Sequence, residues 1–355
     1  MIQHFIFMKH FIYIIGITGC LTAASCTDIE PLDMQVGGVP QDMETIQAFK
    51  ASEHPQTLVW FKNWKADGNM NTYLNTLPDS VDMVVVEQGY ETLSQFQTTD
   101  LETAQTVKKT RVLILAELDS WTAEYKEKIE EAEIEGENNA IEAAEAETPS
   151  REATNEEIEA AIEVERSKVN KEFTERFNAL PDQLEKTVAE HNYDGVSLRI
   201  TAADDAFIRE RLNEIIVRLG GKFGKKAGNR LLVLEGVPEY FTAYFECFDY
   251  LISTTLKTDK LSYVQQEYDK LKVYAGFDAA KMLTYLSLEN DGWKTPFADL
   301  ISSQPLTTPK NLTLATWLPA DGKAVGGMAI RGIETDYEQN YETLRTTIQY
   351  LNLNK

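Results

Sequence analysis

The chain has 355 residues, 43% of them hydrophobic, and a formal net charge of −23. That length suits either two average domains or one α/β barrel of about 250 residues with insertions. The acidity repels phosphate backbones and anionic head groups, which excludes nucleic acid and polybasic membrane docking.

Lys9 and His10 precede the apolar run `FIYIIGITGCL`, too short to span a bilayer, so residues 1–25 are expected to be a signal peptide. The following `LTAASC` resembles the lipobox of bacterial lipoproteins, with Cys26 as the lipidated first mature residue; Cys20, after `ITG`, is a rival acceptor. Only Cys26 is followed by acids, Asp28 and Glu30, which resemble the surface-export signal of gut-commensal lipoproteins. The expectation is a lipid anchor in the outer membrane, facing the cell exterior. Residues 26–45, with Pro31, Gly37, Gly38 and Pro40, read as a tether. Cys247 is then the remaining thiol, within `YFECFDYLI`; no intrachain disulfide can form, and a core position is the expectation.

From residue 46 to 355, short β-rich runs recur: `TLVWFKNW` (57–64), `VDMVVVEQ` (81–88), `RVLILAEL` (111–118), `YDGVSLRI` (193–200), `RLLVLEG` (230–236), `FDYLIST` (248–254), `MLTYLSLE` (282–289) and `NLTLATW` (311–317). Several are nearly continuous in Val, Ile and Leu, as strands covered on both faces require, and helical spacing separates them. The fold class is α/β, a (β/α)8 TIM barrel, with an open doubly wound sheet as the alternative. Between the third and fourth strands, residues 121–177 break this rhythm with a run of Ala, Glu and Lys that favours helix. Pro149 and Ser150 divide it, and Thr154 with Glu157 fits a capping box. An inserted acidic helical hairpin is predicted, each arm of about 20 residues, either a docking arm for a partner protein or a solvated insertion.

The stretch `YDGVSLRIT` resembles the fourth-strand signature DGxDxDxE of family 18 glycoside hydrolases, the chitinases and endo-β-N-acetylglucosaminidases. `VWFKNW`, `LPDSVDMVVV`, `FDYLIST` and `ATWLPADGKAVGGMAIRGIETDY` fit the same resemblance in order, especially to surface lipoproteins related to N-glycan-processing enzymes. In that family the last acid protonates the glycosidic oxygen, and the acid two residues earlier positions the acetamido group. Alternate strand residues face one side, so these positions share the barrel mouth. Here Asp194 and Gly195 match the opening, while Ser197 and Arg199 replace the second and third Asp and Thr201 replaces the catalytic Glu. A threonine hydroxyl holds its proton too tightly to act as a general acid, and a guanidinium opposes the positive charge that develops at the anomeric carbon. No catalytic residue is therefore assigned.

Glu87, Glu117, Glu235 and Glu289 fall at or near the C-terminal ends of predicted strands, where barrels place functional groups. Arg199 requires a carboxylate partner, with Glu117 or Glu235 on the adjacent strands as candidates. Flat aromatic faces suit the C–H side of a sugar ring. The resemblance aligns Trp317 with the family's eighth-strand tryptophan; Trp60, Trp64, Tyr90 and Trp293 also fall near strand ends or the loops after them. At the end of the sixth strand, Thr254 and Leu256 stand where the family commonly has Gln and Tyr. The glycan-binding candidates are Trp317, Trp64, Tyr90, Trp293, Glu87, Glu117 and Glu235. The four histidines are scattered and no glycine run forms a phosphate loop, so no metal and no cofactor is expected. The implied function is a catalytically inactive surface lipoprotein that captures glycans, N-glycans or others containing N-acetylglucosamine, for an outer-membrane uptake complex. The alternatives are an active endo-β-N-acetylglucosaminidase with a displaced acid, and a scaffold whose barrel binds nothing.

Overall fold

A computed structural model describes residues 43–228, 230–257, 259–301 and 304–353. The expected signal peptide, Cys20, Cys26 and the expected tether up to residue 42 lie outside the described residues. The last three residues assigned to the tether already belong to a helix, α1 (Met43–Ala51).

Eight parallel strands form the barrel predicted from the sequence. They are β1 (Gln56–Phe61), β2 (Met83–Val86), β3 (Arg111–Glu117), β4 (Gly195–Ile200), β5 (Leu231–Gly236), β6 (Tyr250–Ser253), β7 (Leu283–Ser287) and, after a two-residue pair β8 and β9 (Leu300–Ile301, Gln304–Pro305), β10 (Gly327–Arg331). Their order is β6-β5-β4-β3-β2-β1-β10-β7, and a bridge between Leu251 and Met282 joins the two ends. Two buried clusters follow from strand alternation. Leu58, Trp60, Met83, Val85, Leu113, Leu115, Val233, Ile252, Leu283 and Ala329 fill the barrel, while the residues between them pack outward under the helices.

The first seven predicted runs are strands, but `NLTLATW` is not. Residues 310–315 form helix α8 (Lys310–Ala315), which starts directly after Pro309, and the eighth barrel strand is `GMAIR`. A short apolar run does not separate helix from strand, and a strand opening on glycine has weak β-propensity. Glycine is needed there. A Cβ at Gly326 would lie 2.1 Å from the Ala280 carbonyl oxygen, and one at Gly327 would lie 1.9 Å from that of Gln56. These contacts let β10 slot between β1 and β7.

Three aspartates fasten the N-terminal end of the barrel in a repeated way. Asp82, just before β2, accepts the Thr57 N–H of β1 at 2.8 Å. Asp194, just before β4, accepts Val112 N–H of β3 at 2.7 Å. Asp249, just before β6, accepts Leu232 N–H of β5 at 2.9 Å. Each carboxylate thus satisfies the first free donors of the preceding strand and sets its register.

The helices outside include α2 (Gln95–Thr106), α3 (Asp119–Glu145), α4 (Asn155–His191), α5 (Ala206–Gly220), α6 (Gly224–Ala227), α7 (Leu261–Leu271) and α9 (Glu342–Leu351). The predicted hairpin is α3 and α4, and the Thr154–Glu157 capping box opens α4. Its arms exceed the prediction, with 27 and 37 residues against about 20, because they are not a separate insertion. They are the crossover from β3 to β4, extended outward. At the base, Tyr125, Phe173, Phe177, Leu184 and Val188 join the outer core. Further out, Ala132, Gly136, Ala140 and Ala144 are buried against α4; a Cβ on Gly136 would meet the Ile162 Cα at 2.5 Å.

Burial pushes the Asp82 carboxyl up to about 6, against the lowering pull of the Thr57 N–H, Lys50 and Arg111. A raised carboxyl contributes stability that is complete below the unfolded value near 4 and is lost as pH rises through the folded value near 6. An Asp82→Asn variant keeps the shape, can accept from Thr57 and can donate to His54, whose Nε2 lies 2.9 Å from Asp82. Chemical denaturation from pH 4 to 7 is expected to show this variant gaining stability relative to the parent as pH rises, and a flat difference would refute the assignment.

Candidate functional site

Alternation along the strands brings one residue from each to the C-terminal mouth. Glu117, Arg199 and Glu235 stand side by side across β3, β4 and β5, and Arg331 ends β10 beside Ser287 of β7. Arg199 Nη2 lies 2.6 Å from Glu87 Oε1, and its Nε lies 3.0 Å from Glu235 Oε1. Arg331 Nη2 lies 3.2 Å from Glu235 Oε2 and 3.6 Å from Glu87 Oε1. Two guanidinia and two carboxylates therefore form a closed lattice across the mouth. The Arg331 guanidinium also sits 4.5 Å above the Trp60 ring, which fills the layer beneath.

The Glu235 side chain is 0% exposed. Burial pushes its carboxyl up to about 7 against the lowering pull of Arg199 and Arg331. Burial pulls the Arg199 guanidinium down, but Glu235 and Glu87 outweigh it and hold the group above its ordinary range. Of the two partners proposed for Arg199, Glu235 is one. Glu117 is not: its carboxylate accepts Asp119 N–H at 2.7 Å and Ser120 N–H at 3.3 Å at the start of α3. Glu87 takes the place that Glu117 leaves.

The other signature positions differ in their surroundings. Thr201 N–H and Thr201 Oγ1 donate to the two Asp119 carboxylate oxygens at 2.7 and 2.8 Å, so Thr201 ties β4 to α3. Ser197 points into the barrel below Arg199, fully buried, and its hydroxyl has no partner among the described residues. The retained half of the signature is explained by folding. Asp194 fastens β3, and a Cβ at Gly195 would lie 2.2 Å from the Leu231 carbonyl oxygen.

The aromatic candidates separate. Trp293 is half-buried in the turn after β7 and lines a cavity at the mouth. Tyr90, in the loop after β2, donates its hydroxyl to the Leu115 carbonyl at 2.6 Å, and burial pushes that hydroxyl up to about 12. Trp64 is 2% exposed and donates Nε1 to Asp100 at 2.9 Å, so it has no ring face to offer a ligand. Trp317 follows α8 instead of ending the eighth strand, and packs edge-on against Tyr268 of α7, outside the barrel. Trp60 is fully buried inside.

Two mouth residues escaped the sequence reading. Arg331 does so because `GMAIR`, opening on glycine, carries little strand signal; in the strand it forms, alternation through Gly327 and Ala329 delivers Arg331 to the mouth. Lys62, one step past β1, pairs with Glu289 at 2.5 Å, and its backbone N–H donates to Glu334 at 2.8 Å. Glu289 is thus held below the usual carboxylate range by the Lys62 hydrogen bond. Among the described residues no group of His, Cys, Asp and Glu could hold a metal ion.

A family model described as glycoside hydrolase family 18, BT1044-like, matches residues 24–350. Among solved structures, an endo-β-N-acetylglucosaminidase from Cordyceps militaris is 19% identical over 87% of this chain and 95% of its own, with a TM-score of 0.59. The BT1044 protein is 21% identical over 88% and 92%, also at 0.59. A family 18 chitinase from Pseudoalteromonas aurantia is 11% identical over 83% and 100%, at 0.51. These likenesses are of fold. No curated protein matches the chain.

Replacing Thr201 by valine is expected to cost about 1 kcal/mol, since one Asp119 oxygen loses its donor. Urea denaturation checks the magnitude, and amide exchange should quicken in the first turn of α3. Thr201→Ser should leave both near the parent values.

Proposed function

We propose, for a chain that belongs to glycoside hydrolase family 18 in its BT1044-like branch, a barrel that binds glycans without cleaving them. The observation that carries this reading is the closed lattice of Arg199, Arg331, Glu87 and Glu235 at the mouth. Cleavage needs a carboxyl group free to hand its proton to the leaving oxygen. Thr201 has no such proton, and its hydroxyl is committed to Asp119. Arg199 places a fixed positive charge where the sugar becomes cationic, and its pairing with two glutamates keeps it there. Loss of general acid help alone removes about 10²–10⁴-fold in rate. Binding needs none of this: a shaped cavity, an aromatic face such as Trp293 and polar groups along the rim suffice.

In the fuller proposal, Cys26 carries a lipid that anchors the protein in the outer membrane, facing outward, and captured N-glycans or other N-acetylglucosamine-containing glycans pass to an uptake complex. `LTAASC` with Asp28 and Glu30 supports the anchor. One observation favours a second reading, an endo-β-N-acetylglucosaminidase with a displaced acid: the Glu235 carboxyl is pushed to about 7, where a general acid works best. Against it, Glu235 is fully buried and clasped by both arginines, out of reach of a glycosidic oxygen.

Calorimetry and product analysis on the mature protein, with high-mannose and complex N-glycopeptides, separate these readings. The expected result is heat of binding with no released glycan. Release that rises and falls around pH 7 would establish the displaced acid, and neither heat nor release would leave a scaffold. Restoring acids by Thr201→Glu with Arg199→Asp is expected to yield little turnover and lower stability. The new carboxylate at 201 would face Asp119, and Glu87 and Glu235 would lose a shared cation.

A further inference from the structure

The lattice at the mouth leaves donors unspent. A guanidinium carries five N–H donors and no acceptor. Arg199 uses Nη2 on Glu87 and Nε on Glu235, and Arg331 uses Nη2 on Glu235. Arg199 Nη1, Arg331 Nη1 and the buried Arg331 Nε have no partner among the described residues. The two guanidinia adjoin, because Glu87 Oε1 lies 2.6 Å from Arg199 Nη2 and 3.6 Å from Arg331 Nη2. Both side chains also keep an open edge, at 15% and 18% exposure, while Glu235 has none.

We propose that this open edge is a subsite for the carboxylate of an acidic sugar, a uronic or sialic acid. The inference deepens the glycan-binding reading and rests on it. Donor geometry is the first argument. An edge that carries donors alone suits an acceptor-only group, and a planar carboxylate matches a guanidinium better than a sugar hydroxyl does. Charge balance is the second. The lattice is neutral with both glutamates ionised, and a chain of net charge −23 repels a further anion. Glu235 removes that obstacle by taking a proton from solvent, which leaves two guanidinia with one glutamate and a positive charge for the ligand to neutralise. It is the member of the lattice suited to do so, since burial already pushes its carboxyl up to about 7. The groups that face it are Arg199 on β4, Arg331 on β10, Glu87 after β2 and Tyr285 on β7; β6 presents the apolar Ile252. A bound carboxylate adds a like charge beside Glu235 and so favours its proton further.

The test titrates matched sugars at low ionic strength: glucuronic acid against glucose, and N-acetylneuraminic acid against its methyl ester. Calorimetry at pH 6 and pH 8, each in two buffers of different ionisation heat, reads affinity and counts protons. Glu235 holds its proton more tightly in the complex, so its help is complete below pH 7 and is lost as pH rises above it. At pH 6 at least one acid is expected to bind about 10-fold tighter than its neutral partner. Most of that margin should be lost at pH 8, where the ligand brings a proton with it. Glu235→Gln, which sets an amide in place of the protonated acid, should keep the preference at pH 8 and take up no proton. If that variant does not fold, the titration of the parent chain still decides. Equal affinities within both pairs, or a preference that lacks either the pH dependence or the proton uptake, overturn the subsite, while binding of neutral N-glycopeptides keeps the glycan-binding reading. Silence toward all these sugars and toward the glycopeptides overturns both.

Discussion

The upper layer of this barrel depends on one arrangement: two arginines held by two glutamates, with Glu235 touching both arginines from a fully buried position. Buried charges are tolerated only when paired and hydrogen bonded, and removal of one partner leaves the others uncompensated. The lattice therefore cannot be edited one residue at a time. It also fixes the mouth itself: each guanidinium pairs with both glutamates, so neither can turn aside without breaking an ion pair.

The signature strand divides along the same line. Its first two residues are preserved by the needs of folding: Asp194 fastens β3, as Asp82 fastens β1 and Asp249 fastens β5, and Gly195 allows β5 to come close. Its later positions are engaged elsewhere in the fold. Ser197 is buried, Arg199 belongs to the lattice and Thr201 ties β4 to α3. The opening of the motif is thus accounted for by the barrel itself.

Much of the barrel was legible because strands buried on both faces are written as unbroken Val, Ile and Leu, as in `VDMVVVEQ` and `RVLILAEL`. The eighth strand was not, because close packing there demanded Gly326 and Gly327, which carry no strand signal, and the apolar `NLTLATW` drew the assignment instead. With the strand went both the placement of Trp317 and the recognition of Arg331. The partner of Arg199 could be foreseen on β5, where register puts Glu235 directly alongside. Glu87 could not, since the choice between it and Glu117 turns on which carboxylate the free N–H groups of α3 claim. Trp64 shows the limit of composition: a tryptophan near a strand end serves equally well as core, and Asp100 decides the matter.

The proposal of recognition without cleavage stands or falls with the strength of the arginine–glutamate lattice at the mouth. A double-mutant cycle on Arg199→Met and Glu235→Gln, read by urea denaturation, measures it directly. The lattice account predicts large single losses and a coupling of about 2 kcal/mol or more. Single losses that add within about 0.5 kcal/mol would mean that the two side chains act independently and that the lattice does not govern the mouth.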